Sequence, residues 1–104
     1  VRAWEVRYHA LVDDHDLRRL NPDQKRRVIR AIHKKLSLDP EAYGKPLVGD
    51  LAGFWRLRVE QHRVIYRLER EARSVHVVMV GPRLDEEVYE EFLNRLKRAG
   101  IGGI

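Results

Sequence analysis

A chain of 104 residues suits one domain, large enough to bury a core without metal or disulfide staples. It has no cysteine, which excludes thiol catalysis, cysteine-ligated zinc and a disulfide framework, and suits a reducing compartment. Lys plus Arg number 21 against 16 Asp plus Glu, a net charge of +5 that attracts polyanions, nucleic acid foremost, although with 36% of residues charged part of it serves solubility and ion pairing.

Residues 2–8 alternate, with Trp4 and Val6 on one side, and predict a first strand. Between Ala10 and Leu20 the spacing of Leu11, Leu17 and Leu20 predicts a short helix, with Asp13, Asp14 and Asp16 near its start and Arg18 and Arg19 near its end, as the helix dipole favours. Asn21-Pro22-Asp23-Gln24 is a second start signal: Asn as N-cap, Pro at the first helical position, Gln closing a capping box. The helix it opens runs to Leu36 and buries Val28, Ile29, Ile32 and Leu36. Lys25, Arg26, Arg27, Arg30, Lys34 and Lys35 face outward, either as a solvated surface or as contacts to RNA. Asp39-Pro40 stops it, and Glu41 to Ala52 reads as an irregular connection.

Trp55 to Val59 and Arg63 to Leu68 have the alternation and residue types of two strands of a hairpin. With Glu60 and Gln61 as the loop, Val59 pairs with His62, Arg58 with Arg63, Leu57 with Val64 and Trp55 with Tyr66. A four-residue loop, Val59 to His62, keeps the same register and avoids asking Glu or Gln for positive φ. Either way Trp55, Leu57, Val64, Tyr66 and Leu68 share one face, and Arg56, Arg58 and Arg63 cluster on the other. Like charges facing one another across strands repel, so something negative must lie among these arginines: neighbouring carboxylates or a bound phosphate. Ser74 to Val80 is apolar in both parities and predicts a central strand covered on both faces. After Gly81-Pro82, Asp85 can cap a last helix to Ala99, with Val88, Phe92, Leu96 and Ala99 as its buried stripe, and the glycine-rich residues 100–104 are expected to form a mobile tail.

The order β-α-α-β-β-β-α predicts a single α+β domain over residues 1–104, with a mostly antiparallel sheet and helices mainly on one face. The chain has no span of bilayer length and no signal-peptide pattern, so a cytoplasmic protein is expected. A glycine-rich phosphate loop, a nucleophile elbow and paired histidines at metal-ligand spacing are all missing, and neither a cofactor nor a metal is expected. His76 reads as a packed core residue, and His62 at the hairpin end points toward the core side.

RNA cleavage by its own 2′-hydroxyl needs no metal. It needs an aligned 2′-oxygen, stabilisation of charge on the phosphate, and help with two proton transfers. Arg56, Arg58 and Arg63 can cradle that phosphate, joined by Arg83 after the last strand and by Tyr89 in the last helix. The run Gly44-Lys45-Pro46-Leu47-Val48-Gly49-Asp50-Leu51, then Phe54-Trp55-Arg56-Leu57-Arg58-Val59 and Arg63-Val64-Ile65-Tyr66, resembles the RelE/ParE toxin superfamily of toxin-antitoxin systems across almost the whole chain. The resemblance implies one of two activities: RelE-like members cut messenger RNA in the ribosomal A site, and ParE-like members poison DNA gyrase. RelE-like nucleases carry two basic residues on the first hairpin strand, an arginine opening the next, another after the last strand, and a tyrosine six positions later. Arg56, Arg58, Arg63, Arg83 and Tyr89 match all five.

The best-known RelE-like pattern has lysines at positions 56 and 58, and arginine does not readily give up a proton. The implied roles are therefore phosphate stabilisation for Arg56, Arg58 and Arg63, help to the leaving oxygen for Arg83, and an orienting or base-like role for Tyr89. The resemblance also implies a ribosome and mRNA as targets and a small antitoxin protein as partner, for which an acidic or amphipathic segment would suit the basic face. An inactive RNA-binding relative is the third reading.

Overall fold

The computed structural model describes residues 3–82 and 87–99, of which 87, 88 and 99 are described by backbone alone. Five strands form one sheet in the order β1-β5-β4-β3-β2: β1 (Glu5–Tyr8), β2 (Lys45–Pro46), β3 (Phe54–Val59), β4 (His62–Glu69) and β5 (Ser74–Pro82). All neighbours are antiparallel except β1, which runs parallel to β5. The helices are α1 (Pro22–Leu36), α2 (Pro40–Tyr43) and α3 (Glu87–Ala99). The α+β order expected from the sequence is the order observed, with β2 and α2 added.

Local chemistry accounts for the element ends. Both capping-box bonds form: the Gln24 N–H donates to Asn21 Oδ1 at 2.8 Å and the Asn21 N–H to Gln24 Oε1 at 3.2 Å. The short helix expected over Ala10–Leu20 forms, but not as a regular α-helix: it widens to a π-helix over Val12–Asp16 and tightens into a 3-10 turn over Leu17–Arg19. The connection expected to be irregular contains α2, capped by Asp39 Oδ1 accepting the Ala42 N–H, and the short edge strand β2, where Pro46 is tolerated because an edge residue need not donate. The hairpin has the two-residue loop, with Glu60 in the left-handed region at φ 52°. Glutamate has no intrinsic preference for that region, so the loop type was decided by strand register and not by turn chemistry.

One face of the sheet buries Leu57, Val59, Val64, Tyr66, Val75, Val77 and Val80 beneath Val12, Leu17 and the α1 residues Val28, Ile32 and Leu36. The other packs Ile65, Val78 and Met79 against Phe92, with Phe54 set edge-on to Phe92 at 5.0 Å between ring centroids. Thus α1, α2 and the first turns share a face, and α3 covers part of the opposite one.

The double-parity apolar run of β5 has a second cause besides burial on both sides. Ile65 pairs with Met79 but Tyr66 with Val77, so Val78 is an extra residue, a bulge. The backbone groups there are satisfied by a buried ion pair that spans the sheet edge. Arg95 of α3 donates from Nη1 and Nη2 to Asp16 Oδ2 and Oδ1, both at 2.7 Å, and from Nη1 to the Val78 carbonyl at 3.0 Å. Asp16 Oδ2 also accepts the Val80 N–H at 2.9 Å, at a point where β1 has already ended. Burial alone would raise the Asp16 pKa, but the Arg95 hydrogen bonds, His15 and the Val80 N–H outweigh it and hold the carboxyl below its ordinary value.

Candidate nucleic-acid interface

The hairpin register expected from the sequence is the one observed, including Arg58 opposite Arg63 and Trp55 opposite Tyr66. Strand alternation therefore projects Arg56, Arg58 and Arg63 from the face that carries α3, where Tyr89 sits. The Arg63 guanidinium carbon lies 4.9 Å from the centroid of the Tyr89 ring, a cation–π contact that fixes two of the expected site residues against each other. Arg63 is only 9% exposed and its Nε is buried without a hydrogen-bond partner among the described residues. Arg56 is half-buried; burial first, then the charges of Arg58 and Arg63, lower its pKa, and a guanidinium so placed remains cationic.

Among the described residues Arg56, Arg58 and Arg63 form no ion pair, whereas Arg7, Arg26, Arg27, Arg67, Arg70 and Arg95 each hold a carboxylate. Unpaired cations gathered on a sheet face store repulsion that a bound phosphate relieves. Arg83 lies outside the described residues, as do the Asp85 cap and the tail from 100; the Val88 and Ala99 side chains expected in the buried stripe are likewise undescribed.

The basic residues of α1 do not join this cluster, because α1 packs on the other face. Arg26 pairs with Asp23, Arg27 with Glu60 at 3.1 Å, and the Lys35 ammonium lies 6.0 Å from the Tyr43 ring. Lys25, Arg30 and Lys34 form no ion pair among the described residues. His62 faces the α1 side as expected; burial lowers its pKa, and its Nδ1 has no partner among the described residues. No group of three or more potential metal ligands occurs among the described residues. Among the described residues no helix is long and apolar enough to cross a membrane.

Reading the sequence by element missed the pairing of Asp16 with Arg95. Arg95 carried a signal: it falls three residues after Phe92, on the apolar stripe of α3, where a cation must find a buried partner.

A bulged five-stranded sheet flanked by helices on both faces, with three arginines that form no ion pair among the described residues beside a tyrosine, defines a small α+β protein with a basic sheet face. Residues 10–87 match the family model of the ParE toxin of type II toxin-antitoxin systems, parDE. Toxin RelG of Mycobacterium tuberculosis is 34% identical over 70 residues, covering 67% of this chain and 80% of that protein. The RelBE2 toxin-antitoxin complex of Mycobacterium tuberculosis contains a chain that superposes with a TM-score of 0.75 at 30% identity, over 82% of this chain and 97% of that one. The isolated Escherichia coli RelE toxin shares the fold, with a TM-score of 0.62 at 22% identity over 90% of this chain and 99% of that one. The chain belongs to the ParE toxin family, within the RelE/ParE superfamily of type II toxin-antitoxin toxins.

Proposed function

We propose that this toxin is a RelE-like endoribonuclease that cuts messenger RNA in the ribosomal A site. The observation that carries the reading is the packing of Arg63 on Tyr89 beside Arg56 and Arg58, with no carboxylate paired to any of the three arginines among the described residues. In the reaction the 2′-oxygen of one nucleotide attacks the adjacent phosphorus, the 2′-O–P bond forms and the P–O5′ bond breaks. The 2′-hydroxyl loses its proton and the departing 5′-oxygen gains one, leaving a 2′,3′-cyclic phosphate and a 5′-hydroxyl. Arg56, Arg58 and Arg63 would stabilise the added charge on the non-bridging oxygens. Tyr89, held against Arg63, would orient the attacking group or accept its proton, and Arg83 would assist the leaving oxygen. None of these roles needs a metal ion. Lys25, Arg30 and Lys34 would add backbone contacts to ribosomal RNA from the other face.

The cellular counterpart would be a cognate antitoxin, as the similar chain in the RelBE2 complex has. An acidic or amphipathic segment would match the arginine face and neutralise it. The name of the matched family favours a second reading, a ParE-like gyrase poison acting by binding.

Primer extension on an mRNA in programmed 70S ribosomes tests the first reading, comparing wild type with Arg63→Ala and Tyr89→Phe. A cut within the A-site codon is expected, absent on naked RNA and reduced about 10²-fold or more when one charge-stabilising donor is removed. No cut on either substrate would sink it, and DNA breaks with an SOS response in place of immediate translation arrest would establish the second.

A further inference from the structure

On the opposite side of the hairpin end from Arg63, a cavity of about 350 Å³ opens between the start of α1, the β3–β4 turn and the exit of β5. Its size is at the lower end of those that enclose small ligands. Leu20, Val80 and Pro82 give it apolar lining, and Gln24, Gln61 and His62 supply polar groups. We infer that this cavity is a nucleobase subsite, which holds one unstacked RNA base next to the linkage being cut. The inference rests on the RNA-cleaving reading above.

The lining chemistry selects a base over a phosphate. A phosphate offers only acceptors and calls for cations, whereas a base has apolar faces and an edge that carries donors and acceptors together. Gln61 has both in its side-chain amide. Gln24 uses its oxygen to accept the Asn21 N–H, which leaves its NH₂ as a donor. Burial favours the neutral form of His62, which presents one donor and one acceptor, and its Nδ1 has no partner among the described residues. Asp16 forms part of the wall, but its oxygens are engaged by Arg95, His15 and the Val80 N–H, so its charge is largely neutralised. Arg19, at the same cavity and without an ion pair among the described residues, suits the phosphate that follows the base.

Position makes the connection to the arginine face. His62 and Arg63 are consecutive on β4, so their side chains leave opposite faces of the sheet at its end. Val59–His62 is the last rung before the turn and Arg58–Arg63 the next. An RNA strand rounding the hairpin end can set a phosphate on Arg58 and Arg63 and the neighbouring base into the cavity. Codon preference would then be read partly by Gln61 and His62.

Two measurements test this with wild type, Gln61→Ala and His62→Ala, whose folding is checked by their amide spectra. The first is cleavage on ribosomes programmed with codons varied one nucleotide at a time. Wild type is expected to discriminate at one codon position, and each variant to lose about tenfold of that discrimination. The second is titration of ¹⁵N-labelled wild type with 2′-O-methyl trinucleotides that cannot be cleaved, which should shift the Leu20, Gln24 and His62 signals to different extents for different bases. A wild type that cuts every codon alike, variants with unchanged preference, or trinucleotides that leave those signals unmoved would each overturn the subsite. If wild type cuts nothing, the nuclease reading fails and the titration alone decides the subsite.

Discussion

Replacing Asp16 with Asn tests whether the buried pair at the β5 bulge holds α3 to the sheet. The substitution keeps size and an oxygen able to accept the Val80 N–H, but leaves Arg95, only 8% exposed, without its countercharge. Breaking one side of a buried pair costs roughly 3–5 kcal/mol, out of about 5–15 kcal/mol for a domain of this size. That corresponds to a fall in Tm on the order of 15 °C. Because the Asp16 pKa is depressed in the folded state, the unfolded chain binds the extra proton as pH drops. The stabilisation is thus complete above the unfolded value of about 4 and lost as pH falls through the folded one. Urea unfolding followed by circular dichroism at pH 7 and at steps down to pH 2 reads both effects, and Asp16→Asn should lack this acid-sensitive component. An apolar pair, Asp16→Leu with Arg95→Met, should recover only part of the stability, since the Val80 N–H and Val78 carbonyl stay unpaired at about 1–3 kcal/mol each. A cost below about 1 kcal/mol for Asp16→Asn would refute the role given to the pair, because that is the range of a surface pair.

Gly44→Ala should be severely destabilising: the added Cβ would lie 1.7 Å from Tyr66 Oη and 3.0 Å from the Arg56 carbonyl oxygen. Tyr66 would have to give up its 2.6 Å hydrogen bond to the Pro40 carbonyl, so combining Gly44→Ala with Tyr66→Phe should restore part of the Tm. His62 should titrate below its ordinary value of about 6.5 in ¹H–¹⁵N NMR; the unfolded chain then binds more protons, and this residue's contribution to stability falls as pH drops through that range. Arg30→Glu with Lys34→Glu should weaken ribosome binding and make it less salt-dependent, by about one unit of log–log slope for each phosphate that is no longer neutralised; an unchanged slope would assign α1 to a solvated surface.

The hairpin was the most legible part of the sequence, because alternation in Trp55 to Val59 and Arg63 to Leu68 admits only one register that buries the apolar set. The capping box was legible because its two bonds are local. Features that depend on distant partners were not. The parallel pairing of β1 with β5 has no signature in either segment, and the Val78 bulge is hidden within the apolar run of a strand that is buried on both faces. Within the candidate site the three hairpin arginines follow from alternation alone, but their contact with Tyr89 depends on how α3 crosses the sheet. The cavity beside His62 is assembled from three separate elements, none of which marks it alone.

The placement of β1 has a consequence for when this toxin becomes complete. Among the described residues β1 pairs only with β5, and Asp16 finds Arg95 across 79 residues of chain. Contacts of such sequence separation slow folding, because the loop must close before anything is gained. Tyr89 and the strand that docks β1 both belong to the last third of the chain. A polypeptide made only as far as β4 therefore cannot yet pair β1 with β5 or set Tyr89 on Arg63. The chain has to be made through Tyr89 before that residue can pack on Arg63 beside Arg56 and Arg58.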